Sequence, residues 1–275
     1  MPNRVAAGRI PTDGGELSYQ IRGEGSPVVL LHGGTLDGRM WDGQVAELEK
    51  HHAVVRYDAS GHGQSSTPTT SFAHYEDLRQ LLAGLGIARA SLVGLSLGAR
   101  TLIDFALVYP EIVDALVLVS PGISGMTFRD PFILEQYTKI TEASAAGDGA
   151  QAVECVLRMW VDGPRRAPED VDQGIRELCR AMVTDTVSRH GMAAQSLVTE
   201  LGAIDRVDQL CASTLVLVGD LDASDIHGVA DLVEREAPRA RKLVIPGVSH
   251  MVNLERPHDF NRVLLEFLGS SAPVG

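Results

Sequence analysis

Cysteine is scarce in this chain. Cys155, Cys179 and Cys211 are odd in number and scattered, with no metal-ligand spacing. That excludes a disulfide framework and a cysteine-based metal site, and it suits reduced thiols in a cytoplasmic protein. Basic charge is also short: 24 Lys and Arg stand against 36 Asp and Glu, a formal net charge of -12 with a pI near 5.1. Such a balance argues against nucleic acid and against anionic membrane surfaces as partners. No apolar run is long enough to span a bilayer, and the segment from Met1 to Gly8 lacks the apolar stretch of a signal peptide. Internal repeats, low-complexity tracts, a metal cluster and a Gly-rich phosphate cradle after the first strand are all missing, so the sequence calls for no cofactor. What remains is 275 residues with 44% hydrophobic content, enough for one large domain with a sizeable core.

The apolar pattern alternates between strands and helices. Gly15 to Ile21 alternates weakly and reads as an antiparallel edge strand. Continuous apolar runs at 27–31, 53–57, 90–94, 115–119, 214–218 and 242–245 read as strands buried on both faces. Helical periodicity fills 75–85, 99–109, 225–236 and 257–268. This order predicts a doubly wound, mostly parallel α/β sheet with helices on both faces. One stretch breaks the rhythm. Residues 122–206 hold only helical patterns, at 132–145, 151–161 and 169–189. The expectation is a core of residues 1–121 and 207–275, with 122–206 inserted as a helical cap over the C-terminal ends of the strands, where ligands bind.

Gly94-Leu95-Ser96-Leu97-Gly98 is the most informative segment. It sits between a strand and a helix, so Ser96 stands at the apex of a sharp turn whose glycines admit close backbone passage. The following helix aims N–H groups at any anion formed there. A serine nucleophile needs a base, and His250 follows the last strand in the chain order that such a triad requires. The carboxylate that orients it belongs after the strand at 214–218, where Asp220, Asp222 and Asp225 compete. Asp222 has room to turn back over the sheet edge and is preferred; Asp220 is second, and Asp225 caps the next helix. Two N–H donors for the developing oxyanion are expected from Leu97 and from Gly34 of His32-Gly33-Gly34-Thr35.

His32-Gly33-Gly34, Asp58 through Gly61-His62-Gly63-Gln64-Ser65, the elbow, Gly219 to Asp222 and Gly247-Val248-Ser249-His250 together resemble the α/β-hydrolase superfamily over essentially the whole chain. The pattern is similar to small capped esterases, 3-oxoadipate enol-lactonases and cofactor-free haloperoxidase-type hydrolases. The resemblance implies a serine hydrolase of carboxylic esters or lactones acting through an acyl-enzyme on a small molecule, as a monomer or homodimer. A carbon–carbon bond hydrolase, a perhydrolase and a weakly catalytic ligand-binding member are the alternatives. Serine at the elbow argues against dehalogenases and epoxide hydrolases, which use aspartate there. Ser60 departs from the family, whose members often carry arginine at that position. For the substrate pocket, Trp41, Phe128, Phe132, Met159 and Trp160 are the candidates, among further cap residues Met126, Tyr137, Met182 and Met192. Arg158, Arg165 and Arg166 are candidates for holding a substrate carboxylate.

Overall fold

The computed structural model describes residues 5–191 and 196–271, so Met192 lies outside the described residues. Eight strands form one sheet in the order β1-β2-β4-β3-β5-β6-β7-β8. They are β1 (Val5–Thr12), β2 (Gly15–Arg22), β3 (Pro27–Leu31), β4 (Ala53–Tyr57), β5 (Ala90–Leu95), β6 (Val113–Val119), β7 (Ser213–Gly219) and β8 (Ala240–Ile245). β1 and β2 pair antiparallel, as do β2 and β4; every other pairing is parallel. The strand expected at the sheet edge is therefore one place further in. β1 covers it, and Gly8 and Pro11 had interrupted the apolar signal that would have marked that strand.

The central strands are buried on both faces because side chains alternate across the sheet. Val29, Leu31, Leu92, Leu116 and Leu118 enter one core, while Val28, Leu30, Val93, Val117 and Val119 enter the other. The first core is roofed by α2 (His74–Gly84), α3 (Leu97–Val108) and α7 (Ser224–Glu236). The second packs against α1 (Asp42–Leu48) and α9 (Pro257–Ser271), with Phe260 fully buried. Between β6 and β7 the chain forms α4 (Pro131–Ala145), α5 (Gly149–Leu157), a π turn (Arg158–Asp162) and α6 (Gln173–His190). Within this segment Arg176 donates from Nε to Asp162 Oδ1 at 2.8 Å and from Nη2 to Asp162 Oδ2 at 3.1 Å, and Asp162 is wholly buried. That fork ties α6 to the π turn.

Strand order reverses between β3 and its neighbours β4 and β5. A crevice opens at such a point, outside the carboxyl ends of the strands. In register, Leu31 lies beside Gly94, Leu95 beside Val119, Val119 beside Leu217 and Gly219 beside Ile245. The loops after β3, β5, β7 and β8 thus leave the sheet along one edge. Thr35, Ser96 and Ser120 are the non-glycine residues with positive φ among those described, and all three lie on this edge.

Candidate active site

Ser96 has φ 54° and ψ -105°, a conformation that costs an L-residue energy and persists only where its surroundings fix it. The flanking glycines show what fixes it. A Cβ on Gly94 would lie 2.5 Å from the Gly98 carbonyl carbon, and one on Gly98 would lie 2.3 Å from the Leu31 carbonyl oxygen. Backbone passes where any side chain would collide. The Ser96 N–H donates to Val119 O at 3.0 Å, and its carbonyl accepts from Arg100 N at 2.9 Å, so the turn is pinned to β6 and to α3.

His250 and Asp222 meet at the ends of β8 and β7. Asp222 Oδ2 lies 2.9 Å and Oδ1 3.2 Å from His250 Nδ1, and both residues are buried. Ala223 N also donates to Asp222 Oδ1 at 2.8 Å, which fixes the carboxylate plane. A carboxylate on Nδ1 selects the tautomer with the proton there and leaves Nε2 as acceptor. Gly219 makes the approach of the two loops feasible: a Cβ there would lie 2.3 Å from the carbonyl oxygens of both Val248 and Ser249. The competing aspartates do other work. Asp220 accepts from Gly247 N at 2.7 Å and so shapes the histidine loop from behind. Asp225 is not a helix cap; it accepts from Arg129 N and Asp130 N, each at 2.8 Å, while Asp130 accepts from Ser224 N at 3.0 Å. This reciprocal clasp joins the start of α4 to the start of α7.

The loop after β3 is held by His32. Its Nε2 accepts from Ala59 N at 2.9 Å, so Nδ1 carries the proton and donates to Gly33 O at 2.8 Å. A Cβ on Gly34 would stand 3.8 Å from Leu97 Cβ, and one on Gly33 3.7 Å from Ser96 Cβ, so this loop abuts the elbow. As first residue of α3, Leu97 has an N–H without a carbonyl partner inside the helix.

Ser96, His250, Gly34 and Leu97 line one cavity of about 640 Å³, a volume suited to a small organic ligand. Of the expected pocket residues, Phe128, Met159 and Trp160 are in its wall, together with Met126 and Tyr137. Trp160 lies with its ring centroid 4.6 Å from that of His250 and 5.9 Å from that of Phe128. The π turn sets this position, since one extra residue in the helical turn redirects the indole. Gly163 ends that turn at φ 79°, where a Cβ would fall 2.1 Å from Ser249 Oγ. The helical segment therefore presses directly on the histidine loop.

Four expectations need correction. Trp41 is fully buried against Phe260 (centroids 6.1 Å apart) in the core beneath α1 and α9, not in the cavity wall. Phe132 is half-buried outside that wall, beneath the Arg158 guanidinium at 4.9 Å, and Met182 belongs to the second core. The three arginines offered for a substrate carboxylate bind protein. Arg158 donates to Gly163 O at 2.6 Å, Arg165 to Asp220 O at 3.0 Å, and Arg166 to Asp162 O at 2.9 Å and to the Glu255 carboxylate. The cation in the wall is Arg100, which sequence reading missed because an arginine within an apolar helix carries no motif.

The segment from Asp58 to Ser65 is a folded brace. Asp58 accepts from Gly38 N and Gln64 N, each at 2.8 Å. It also delivers His62 to the cavity. Ser60 donates to Asp77 Oδ2 at 2.7 Å, and burial pushes the Asp77 carboxyl up to about 6. A carboxyl raised in the folded state costs stability above that value and costs nothing below the unfolded value near 4. Asp77→Asn is therefore expected to stabilise the protein by up to about 3 kcal/mol at pH 8, with the gain shrinking between pH 6 and 4. Urea unfolding of both proteins across that range checks this; a gain that does not change with pH would contradict it.

Comparison with known proteins agrees with this architecture. The profile of the alpha/beta hydrolase family matches residues 28–263. A pimeloyl-[acyl-carrier protein] methyl ester esterase of Aliivibrio fischeri is 27% identical over 263 residues, 93% of this chain and 98% of that protein. A Bacillus subtilis protein assigned as a 2-succinyl-6-hydroxy-2,4-cyclohexadiene-1-carboxylate synthase is also 27% identical, over 92% of this chain and 96% of its own. Among solved structures, an enol-lactonase from Burkholderia xenovorans superposes with a TM-score of 0.80 at 24% identity, covering 95% of this chain and all of that one, a likeness of fold.

Proposed function

Because this chain belongs to the alpha/beta hydrolase family, we propose that it is a serine hydrolase cleaving carboxylic ester or lactone bonds through an acyl-enzyme. Ser96 is the nucleophile, His250 the general base and then acid, and Asp222 the orienting carboxylate. Gly34 and Leu97 supply the oxyanion N–H donors, and residues 122–206 act as the cap. The observation that carries this reading is the buried Asp222–His250 pair opening on the cavity that also holds the strained Ser96.

The chemistry follows from those positions. His250 Nε2 takes the Ser96 proton as Oγ attacks the carbonyl carbon. The oxygen that gains charge is met by two backbone N–H groups that need not reorganise. The imidazolium that forms is stabilised by Asp222 and returns its proton to the leaving alcohol. Water then repeats the sequence on the acyl group, with the same histidine as base. Trp160, lying over His250, keeps bulk water from that side of the imidazole. The methyl ester esterase relative supports the ester class.

The test is a panel of p-nitrophenyl esters, simple lactones and a vinylogous diketone. Turnover of esters or lactones is expected. Turnover of the diketone alone would instead identify a carbon–carbon bond hydrolase. Labelling of Ser96 by a fluorophosphonate without turnover of any substrate would identify a weakly catalytic binding member.

Trp160 and Trp41 separate pocket from core. Trp160→Ala is expected to alter kcat/KM ratios between short and long acyl chains by about 1–3 kcal/mol in activation free energy. Trp41→Ala is expected to destabilise by about 3–5 kcal/mol while leaving those ratios alone. Chain-length profiles and melting temperatures of the two variants decide it. A uniform loss across chain lengths in Trp160→Ala would remove that residue from substrate selection.

A further inference from the structure

The cavity lining mixes two kinds of residue. Met126, Phe128, Met159 and Trp160 are apolar. Arg100, Glu200, His62 and His74 are polar or charged. The mechanism uses none of these four.

Arg100 lies on α3 four residues beyond Ser96, about 6 Å along the helix. Its Nη1 is 2.7 Å from Glu200 Oε1, and both side chains are about one third exposed. Glu200 is held in place from several sides. Thr199 N donates to Phe72 O at 2.7 Å, Val198 bridges to Phe72, and Glu200 Oε2 accepts from Gly125 N at 3.4 Å. His74 is 8% exposed, and its Nδ1 has no hydrogen-bond partner among the described residues. Burial, with Arg100 adding to it, holds the His74 imidazole down to about 3, and burial holds His62 well below its ordinary value. Both rings are therefore neutral at physiological pH. His62 Nδ1 is 3.1 Å from Ser60 O.

The charges of these four residues cancel: one guanidinium, one carboxylate, two neutral rings. A substrate carboxylate entering here would meet Arg100 with Glu200 already upon it, and repulsion from Glu200 would offset the attraction. An alkyl chain would cover the partly exposed Arg100–Glu200 pair and offer it no hydrogen bond, which is costly. A neutral group that both donates and accepts satisfies all of them. It can accept from the guanidinium, donate to the carboxylate or pair with the imidazole.

We propose that Arg100, Glu200 and His74 form a specificity subsite for a neutral donor–acceptor group, an amide or hydroxyl, carried by the ester or lactone substrate. This rests on the serine-hydrolase reading and adds the substrate class. The subsite selects polar-substituted esters over plain alkyl esters of the same length, and over half-acid esters.

The test compares three p-nitrophenyl esters of matched length: heptanoate, γ-acetamidobutyrate and hydrogen adipate. The wild-type protein is expected to favour the acetamido ester over both others by about tenfold or more in kcat/KM. Arg100→Met and His74→Phe are expected to reduce the acetamido-to-heptanoate ratio about tenfold. Glu200→Gln, nearly isosteric and partly exposed, is expected to raise the adipate-to-heptanoate ratio by a similar factor. Ratios that stay constant across all three variants, or a wild-type preference for the half-acid ester, would overturn the subsite while leaving the hydrolase reading intact. Failure to turn over any of these esters or any lactone would overturn the hydrolase reading and the subsite with it.

Discussion

Ser96→Ala is expected to lower ester turnover by about 10⁴-fold or more, because attack, proton transfer and the acyl intermediate all pass through one hydroxyl. The variant should fold normally. Ser96 contributes its backbone to the turn, through Val119 O and Arg100 N, and alanine keeps both bonds. Alanine tolerates the positive φ no worse than serine does, so the melting temperature should move little. Steady-state rates with p-nitrophenyl acetate, beside a thermal unfolding curve, check both statements. Retention of more than a few per cent of wild-type activity would remove Ser96 as nucleophile.

The second large effect separates two neighbouring aspartates. Asp222→Asn places an amide against His250 Nδ1. The amide NH₂ group can present a donor there and favour the wrong tautomer, for a loss of about 10³–10⁴-fold in kcat. Asp220→Asn keeps an oxygen able to accept from Gly247 N, so the histidine loop retains its shape and the loss should stay within about tenfold. Measured kcat values for the two variants test this directly. Equal losses would mean that the shape of the loop after β8 matters as much as the carboxylate on the imidazole.

Much of the candidate site's geometry was legible because its residues are tied to turns that only certain residue types can make. Glycine at 94, 98 and 219 stands where another backbone passes within the reach of a Cβ, and the sequence advertises this as a motif. Asp222 was separable from Asp220 by reach alone: the residue next to the strand end cannot turn back over it. The parallel strands were legible because burial on both faces forces continuous Val and Leu runs.

Other parts carried no such signal. β1 pairs along only one edge and contains Gly8 and Pro11, so its apolar pattern is broken. Trp41 follows the glycine loop in sequence, which suggested the pocket, but the turn Gly38–Trp41 points it inward onto Phe260. The π turn that lays Trp160 on His250 is a local departure from helix geometry that periodicity reads as continuous helix. Arg158, Arg165 and Arg166 looked like ligand cations because an exposed arginine and one satisfied by a backbone carbonyl are the same letter in sequence. Arg100 and His74 were silent for the complementary reason: each sits in a helix, and only the fold brings them to the cavity that Ser96 faces.

The most direct test of the account is acid quenching during steady-state hydrolysis of a p-nitrophenyl ester, followed by mass analysis of the proteolysed protein. The account predicts a single acyl group on the peptide containing Ser96, absent in Ser96→Ala and formed far more slowly in His250→Ala. Turnover of the ester with no acyl group on Ser96, or an acyl group at another residue, would contradict it.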